Sequence, residues 1–577
     1  MTYTPPVADQ RFILRHIVRM DELAGTQAFA EATPDLVDAI LEGAGQFAAG
    51  EFAPLNRTGD QIGARWSPDG VTMPPGFKEA YQAYVEGGWG TLAGPAEHGG
   101  QGLPLTLATV VMEDLGSANM GFSLIMMLTP GTVEALKHHG SPELQAQWLP
   151  KLVTGEWSGT MNLTEPQAGS DVGALKTKAE PVGNGSYRIS GQKIFITFGD
   201  HDLTDNIVHL VLARTPDAPA GTRGITLFLV PKYRLNEDGS IGAFNDARCV
   251  SIEHKLGIHA SPTCVMSYGD EGDCIGWPVG AEMGGMRAMF TMMNNARLNV
   301  GLQGVSIGER ATQAAVAYAA QRVQGLRAGS PSREPSPIIG HPDVRRMLLR
   351  MKALTQAARA LCYYAAGQTD RGSLGDSAAQ ARADLLTPLV KAYGTDVGVE
   401  VASLGVQVHG GMGFVEETGA AQHYRDIRIA PIYEGTNGIQ AADLVGRKIG
   451  LEGGAVLASL IADMRAAAAG EAALSHLLDV AEDAGAWMAS AGVEDRLAGS
   501  YSYLTLLSVA VCGWLMKVQL QALESEAADL DPAFVAMKRA AALYYLDQLI
   551  PEAAGLAAQA KAGAAPLYAI DEAAFAA

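Results

Sequence analysis

The chain is poor in cysteine and in positive charge. Its five cysteines, Cys249, Cys264, Cys274, Cys362 and Cys512, lie far apart with no CxxC pair, so neither a disulfide framework nor a thiolate-rich zinc site is expected. A reducing compartment fits that usage, and the cytoplasm is the expected location. Lysine and arginine number 42 against 62 aspartate and glutamate, a formal net charge of -20. A surface of that sign repels a phosphate backbone, so nucleic acid is not an expected partner. The opening stretch MTYTPPVADQRFILRHIVRM lacks a basic region followed by an apolar run, so no secretory signal is expected and the chain is expected to begin near Met1. One uncharged run, GSYSYLTLLSVAVCGWLM from Gly499 to Met516, approaches the minimum length of a membrane-spanning helix. Its serine, tyrosine, threonine and glycine content, without a second span or a basic flank, makes it a buried core helix and not a membrane span. There is no repeat of solenoid period and no low-complexity tract.

What the chain has in quantity is apolar sequence. With 577 residues, 48% of them hydrophobic and 18% charged, it is too long for one core and too apolar for disorder, so about three or four packed units are expected. From Asp35 to Gly155 apolar residues recur at helical spacing, as in PDLVDAILEGAGQFAAGEF and PELQAQWLPKLVTGEW. Around Tyr187 the pattern changes to short runs rich in Ile, Val, Phe and Thr, namely YRISGQKIFITF, NIVHLVLART and GITLFLVPK, which read as strands. Helical spacing returns near Met286 and persists to about Lys448, interrupted by the exposed loop GLRAGSPSREPSPIIG. Beyond Gly450 the chain is alanine-rich and helical, with 16 acidic residues against 6 basic ones over 451–577. The expected organisation is α+β: a leader at 1–36, a helical domain at 37–158, a β domain at 159–277, a helical bundle at 278–448 and a further helical domain at 449–577.

Four separated segments carry chemistry. LTEPQAGSDVG, Leu163 to Gly173, offers hydroxyls and a small turn with open backbone N–H donors. GQKIFIT, Gly191 to Thr197, sets an aromatic beside a β-branched hydroxyl residue. Taken alone it reads as a half-buried strand with Phe195 in the core. QRVQG, Gln321 to Gly325, ends a long helix, and QVHGGMGF, Gln407 to Phe414, follows much later. Arg322 suits a phosphate, and the paired glycines at 410 and 411 let backbone approach a flat or charged ligand. His409 has no His, Cys or Asp beside it at ligand spacing, so it is expected to be structural and no metal site is expected. The fourth segment, IYEGTNGIQ from Ile432 to Gln440, holds Glu434 between an aromatic ring and a glycine.

In this order on an α, β, α chain, the four segments resemble the acyl-CoA dehydrogenase family over about residues 40–448. The resemblance implies an N-terminal helical domain, a middle β-barrel domain and a C-terminal helical bundle, here with an extra helical domain appended. It implies FAD as cofactor, with Met161, Leu163, Thr164, Gly169, Ser170, Phe195 and Thr197 bordering the flavin. Arg322, Gln324, Gln407, Gly411 and Thr436 would meet pyrophosphate and adenine across a dimer interface, so a homo-oligomer, a dimer first of all, is expected. Glu434 matches the family's usual base, because the alternative position directly before Arg297 holds Ala296 and offers no carboxylate. Ser170, Arg297 and Tyr433 would border the path of the acyl-CoA substrate. Three positions depart from the family pattern: Phe195 for a tryptophan, Phe198 for an asparagine and Gly438 for a glutamine.

The leader and the long helical tail, with GHPDVRRMLLRMKA after the loop, resemble the branch that dehydrogenates 3-methylthiopropanoyl-CoA in dimethylsulfoniopropionate degradation. The expected reaction is α,β-dehydrogenation of that short acyl-CoA to 3-methylthioacryloyl-CoA, with an electron-transfer flavoprotein as acceptor. The alternatives are another short- or medium-chain acyl-CoA, an oxidase that returns electrons to oxygen, and a DNA-binding alkylation-response relative. The last predicts a basic tail, and this tail is acidic.

Overall fold

The computed structural model describes residues 3–577, which gather into two compact units: Tyr3–Glu42 with Arg297–Ala577, and Gly43–Ala296.

In the second unit, helices come first. Pro142–Thr154 starts where Ser141 accepts the Leu144 N–H at 3.3 Å with proline at its first position, and stops at Gly155, whose φ of +82° only glycine adopts freely. Met120–His139 is capped by Asn119, whose Oδ1 accepts from Phe122 N at 3.1 Å. A short hairpin, Arg65–Ser67 with Gly70–Thr72, turns at Pro68 and Asp69 and was not legible as strand, since three residues are too few for period-2 alternation to show. Its Trp66 Nε1 donates to Cys249 O at 2.8 Å.

The eight-stranded sheet follows. Its path runs Ala247–Ile252, Thr263–Tyr268, Tyr187–Thr197, Ile275–Pro278, Thr226–Pro231, Ile207–Ala213 and Ser158–Asn162, with Lys178–Pro181 also paired to Tyr187–Thr197. Neighbours are antiparallel except Ser158–Asn162, which runs parallel to Ile207–Ala213. Side chains draw the last strand back toward the third and the second: Thr160 Oγ1 donates to Thr197 O at 2.7 Å, and Tyr268 Oη donates to Asn162 Oδ1 at 2.6 Å. The sheet curls in the manner of a barrel around Ile189, Ile196, Val211, Phe228, Val230, Met266 and Tyr268. Each large apolar side chain buried there contributes about 1.5–3 kcal/mol.

The first unit is helical. Its frame is Gly285–Gln321, whose later turns belong here, with Pro342–Ser373 and Ser377–His409 packed side by side. The leader is itself helical, Val7–Ile13 and Met20–Ala24 joined by a π-helical turn at Leu14–Val18, and it lies against Pro342–Ser373. The uncharged run from Gly499 to Met516 falls in the helix Val493–Glu526, which is long and apolar enough to cross a membrane by length and composition. Its most apolar window is 72% buried inside the protein, packed on Ser377–His409, Asn437–Gly446 and Ala472–Ser490, as a core helix is.

Candidate active site

In the second unit the segment Leu163–Leu175 is tied down by one carboxylate. Glu165 Oε1 accepts from Lys193 Nζ at 2.8 Å, Thr177 Oγ1 at 2.6 Å and Thr177 N at 3.0 Å, while Oε2 accepts from Lys176 N and Gln167 Nε2, each at 2.6 Å. Lys193, fully buried, also donates to Leu163 O at 3.0 Å. Burial pushes the Glu165 carboxyl up, but Lys193 and the hydrogen bonds outweigh it and hold it at about 2. The same burial brings Lys193 down to about 8 despite its partner. With the loop held this way, Gly169 and Ser170 stand exposed, Thr164 is half-buried, and Met161 is buried in its strand.

Phe195 is the departure from simple alternation. Opposite it the register slips, so that Ile196 faces Cys264 and Lys193 faces Met266, leaving Ile194 and Phe195 against one partner residue. That bulge, with Phe195 at φ +59°, turns the ring outward to 59% exposure while Ile196 and Phe198 stay buried. Phe198, ring to edge with His201, is a core residue. Thr197 is half-buried two residues from the exposed ring.

In the first unit four of the other expected cofactor residues are exposed, Arg322 and Gln324 just past the helix end at Gln321, and Gln407 and Gly411 where Ser377–His409 gives way to a 3-10 turn, while Thr436 is half-buried. Gly410 has φ +59°, and a Cβ on Gly411 would meet nothing within 4 Å, so backbone there is open to a ligand. His409 is structural as expected: Nδ1 bonds Gly405 O at 2.7 Å and the ring lies 4.4 Å from that of Tyr318. Each set by itself has the chemistry expected of it: in the second unit an outward aromatic face beside hydroxyls suits a flat ring such as isoalloxazine, and in the first unit an exposed arginine and glutamines beside open glycine backbone suit an anionic group such as pyrophosphate. Among the described residues, no three His, Cys, Asp or Glu side chains stand together as a metal cluster.

Glu434 sits in the loop between Ala420–Ile427 and Asn437–Gly446. The loop closes on itself through Asn437 N to Pro431 O at 3.0 Å and Ile432 N to Ile429 O at 2.8 Å. Glu434 has φ +54°, followed by Gly435 at +83°. A non-glycine residue in that region costs about 1–3 kcal/mol and persists where surroundings enforce it, as they often do at functional sites. Here Gln440 Nε2 donates to Glu434 O at 3.2 Å, and Thr436 caps the next helix by accepting from Ile439 N at 3.2 Å. Burial raises the Glu434 carboxyl above its usual 4.5, and the cations Arg297 and Lys391 oppose that rise. Arg297 is buried on the long helix, and Tyr433 is half-buried with its hydroxyl donating to Gln303 Oε1.

Lys391 went unnoticed in the sequence. It is fully buried in Ser377–His409, and desolvation, partly offset by Glu434 and Asp396, brings it down to about 7. Its signal was there to find: a lone lysine among Leu, Val and Ala in TPLVKAYG.

Family models for the acyl-CoA dehydrogenase N-terminal, middle and C-terminal domains match residues 36–156, 160–270 and 283–449, and one for an "Acetyl-CoA dehydrogenase C-terminal like" domain matches 455–571. The chain belongs to the acyl-CoA dehydrogenase family, whose members are FAD-dependent oxidoreductases. It is 47% identical over 573 residues to the 3-methylmercaptopropionyl-CoA dehydrogenase of Ruegeria pomeroyi, covering 96% of this chain and 97% of that one. A butyryl-CoA dehydrogenase of Syntrophomonas wolfei is 36% identical over 95% of both chains. The solved acyl-CoA dehydrogenase of Bacillus anthracis, complexed with FAD, shares the fold with a TM-score of 0.74 at 22% identity, over 92% of this chain and 90% of that one. The fold class expected above, three family domains plus an appended helical one, is thus established, and FAD as the cofactor follows from membership.

Proposed function

We propose that this chain oxidises 3-methylthiopropanoyl-CoA to 3-methylthioacryloyl-CoA, with Glu434 removing the α-proton. The observation that carries the reading is Glu434 itself: a carboxylate held in left-handed backbone, desolvated so that its pKa is raised, with Arg297 and Lys391 keeping it ionisable. The α-proton of a thioester is weakly acidic, so a base works best when its pKa approaches the working pH. Bound FAD supplies the hydride acceptor, at N5. Arg297, Tyr433 and Ser170 border the thioester in this reading. The 47% identity over nearly the whole chain to a 3-methylmercaptopropionyl-CoA dehydrogenase supports the substrate. The same reading gives a cytoplasmic dimer that shares its cofactor site and hands electrons to an electron-transfer flavoprotein. The butyryl-CoA relative favours a second reading, in which a plain four-carbon thioester is the better substrate.

Anaerobic bleaching of the flavin against a panel of acyl-CoAs tests this. Fastest bleaching by 3-methylthiopropanoyl-CoA is expected; faster bleaching by butanoyl-CoA selects the second reading, and none by any thioester while FAD stays bound sinks both. Stoichiometric oxygen uptake would mark an oxidase.

Lys391 gives a pH test of the base. The reaction needs Glu434 deprotonated, so the rate is lost as pH falls through its raised pKa. Below about 7 Lys391 is protonated and lends its charge to that carboxylate. Lys391→Met removes the charge and leaves Arg297 as the facing cation, so the acidic limb of the bleaching rate is expected to move up by about one pH unit. A limb that stays put or moves down would show that Lys391 does not act on the base.

A further inference from the structure

The appended helical domain reaches the base loop through one line of hydrogen bonds. Tyr501, on Val493–Glu526, donates its hydroxyl to Asp396 Oδ2 at 2.5 Å. Asp396 Oδ1 accepts from Asn437 Nδ2 at 2.8 Å, and Asn437 Oδ1 accepts from Lys391 Nζ at 2.8 Å. Asn437 Nδ2 also reaches Thr395 Oγ1 at 3.0 Å and Ala392 O at 3.1 Å. The Asp396 carboxylate can only accept, which turns the Asn437 Nδ2 toward it and leaves Oδ1 facing Lys391 Nζ.

Asn437 closes the loop that carries Glu434, by its N–H to Pro431 O. The side chain of Asn437 is buried, as is Lys391, whereas Asp396 is half-buried and Tyr501 exposed. The line therefore runs from the protein surface to the cation facing the base, and its outer end belongs to the appended domain. Resting on Glu434 as the base, we propose that Tyr501 is a positioning residue: through Asp396 and Asn437, the appended domain fixes the geometry of the base loop.

The physical reason lies in Asp396. Its two oxygens serve two donors, Tyr501 on one and Asn437 on the other. Without the tyrosine hydroxyl the carboxylate turns toward water, the Asn437 amide loses the acceptor that orients it, and the loop gains freedom at its closing residue. A base displaced by a fraction of an ångström still binds substrate but meets the α-proton less often in line.

The experiment is stopped-flow anaerobic bleaching of the FAD-loaded protein by butanoyl-CoA and by its α-dideuterated form. It compares wild type, Tyr501→Phe, Asp396→Asn, the double variant and Glu434→Gln. Tyr501→Phe is expected to slow bleaching about tenfold, with a larger α-deuterium isotope effect and with FAD content and thioester affinity unchanged. The double variant is expected to be no slower than the slower single one, since both cut the same line. A wild-type rate in Tyr501→Phe, or multiplied losses in the double variant, would overturn the proposal while Glu434→Gln stays slow. Loss of FAD and thioester affinity with an unchanged isotope effect would reduce Tyr501 to a structural role and overturn it equally. A wild-type rate in Glu434→Gln would instead remove the base reading on which the proposal rests.

Discussion

Glu434→Gln is expected to slow substrate-driven flavin bleaching about 10²- to 10⁴-fold, the usual contribution of a positioned general base, while FAD stays bound and the thioester still binds. The amide matches the carboxylate in shape, so the loop closed by Asn437 N to Pro431 O keeps its form. What is lost is the capacity to take a proton. The alternative position for a base, directly before Arg297, holds Ala296 and offers no carboxylate. The loss of charge also leaves Lys391 with less to hold its proton, so the lysine, already down at about 7, falls further and sits neutral in its buried place. That relief is why the variant is expected to fold and carry flavin. Exchange of the substrate α-proton with solvent deuterium separates the step itself: it is expected to vanish with the bleaching. Bleaching within tenfold of wild type would place the base elsewhere.

How much of this was legible follows the range of the interactions. Glu434 stands out in the sequence because its signal is local, a glutamate between an aromatic and a glycine with an alanine at the alternative position, while its role as base is what the family resemblance implies. The run from Gly499 to Met516 could be read as a core helix because its polar content is also local. Phe195 was legible as a strand aromatic, but its direction was not legible from the strand alone, since alternation puts it inward and a bulge set by the opposite strand turns it out. The left-handed backbone at Phe195 and Glu434 has no glycine to announce it. The line from Lys391 through Asn437 and Asp396 to Tyr501 spans more than a hundred residues of sequence. Each member alone is an ordinary polar residue. Only the packing of Val493–Glu526 against Ser377–His409 and Asn437–Gly446 brings them together.

The same packing logic governs the leader, where the second large effect is expected. Arg359, 1% exposed, donates to Asp9 Oδ2 at 2.5 Å and to Glu309 Oε2 at 2.8 Å, and Lys538 donates to the other oxygen of Asp9. One cluster thus joins the leader helix Val7–Ile13, the long helix, Pro342–Ser373 and the appended Pro532–Tyr544. Burial pushes Asp9 up, but Lys538 and Arg359 outweigh it and keep the carboxyl below its usual range. Burial likewise raises Glu309, and Lys352 and Arg359 bring it down to about 2. Carboxyls depressed in this way stabilise the fold fully above their unfolded pKa, and that contribution is lost as pH falls through the folded value near 2. Arg359→Met leaves two buried carboxylates short of a partner, at a cost of about 3–5 kcal/mol. In a chain of several domains that cost is best read locally, as hydrogen exchange in Val7–Ile13 and Pro532–Tyr544, which is expected to speed up about a hundred- to five-thousandfold at pH 7. With one facing cation fewer, and only Lys538 left to Asp9 and Lys352 to Glu309, the variant's carboxyls have higher pKa values than in the wild type and take up protons sooner on acidification. The gap to wild type is therefore expected to narrow near pH 4, whereas a gap equal at both pH values would mean that lost packing, and not the stranded charges, sets the cost.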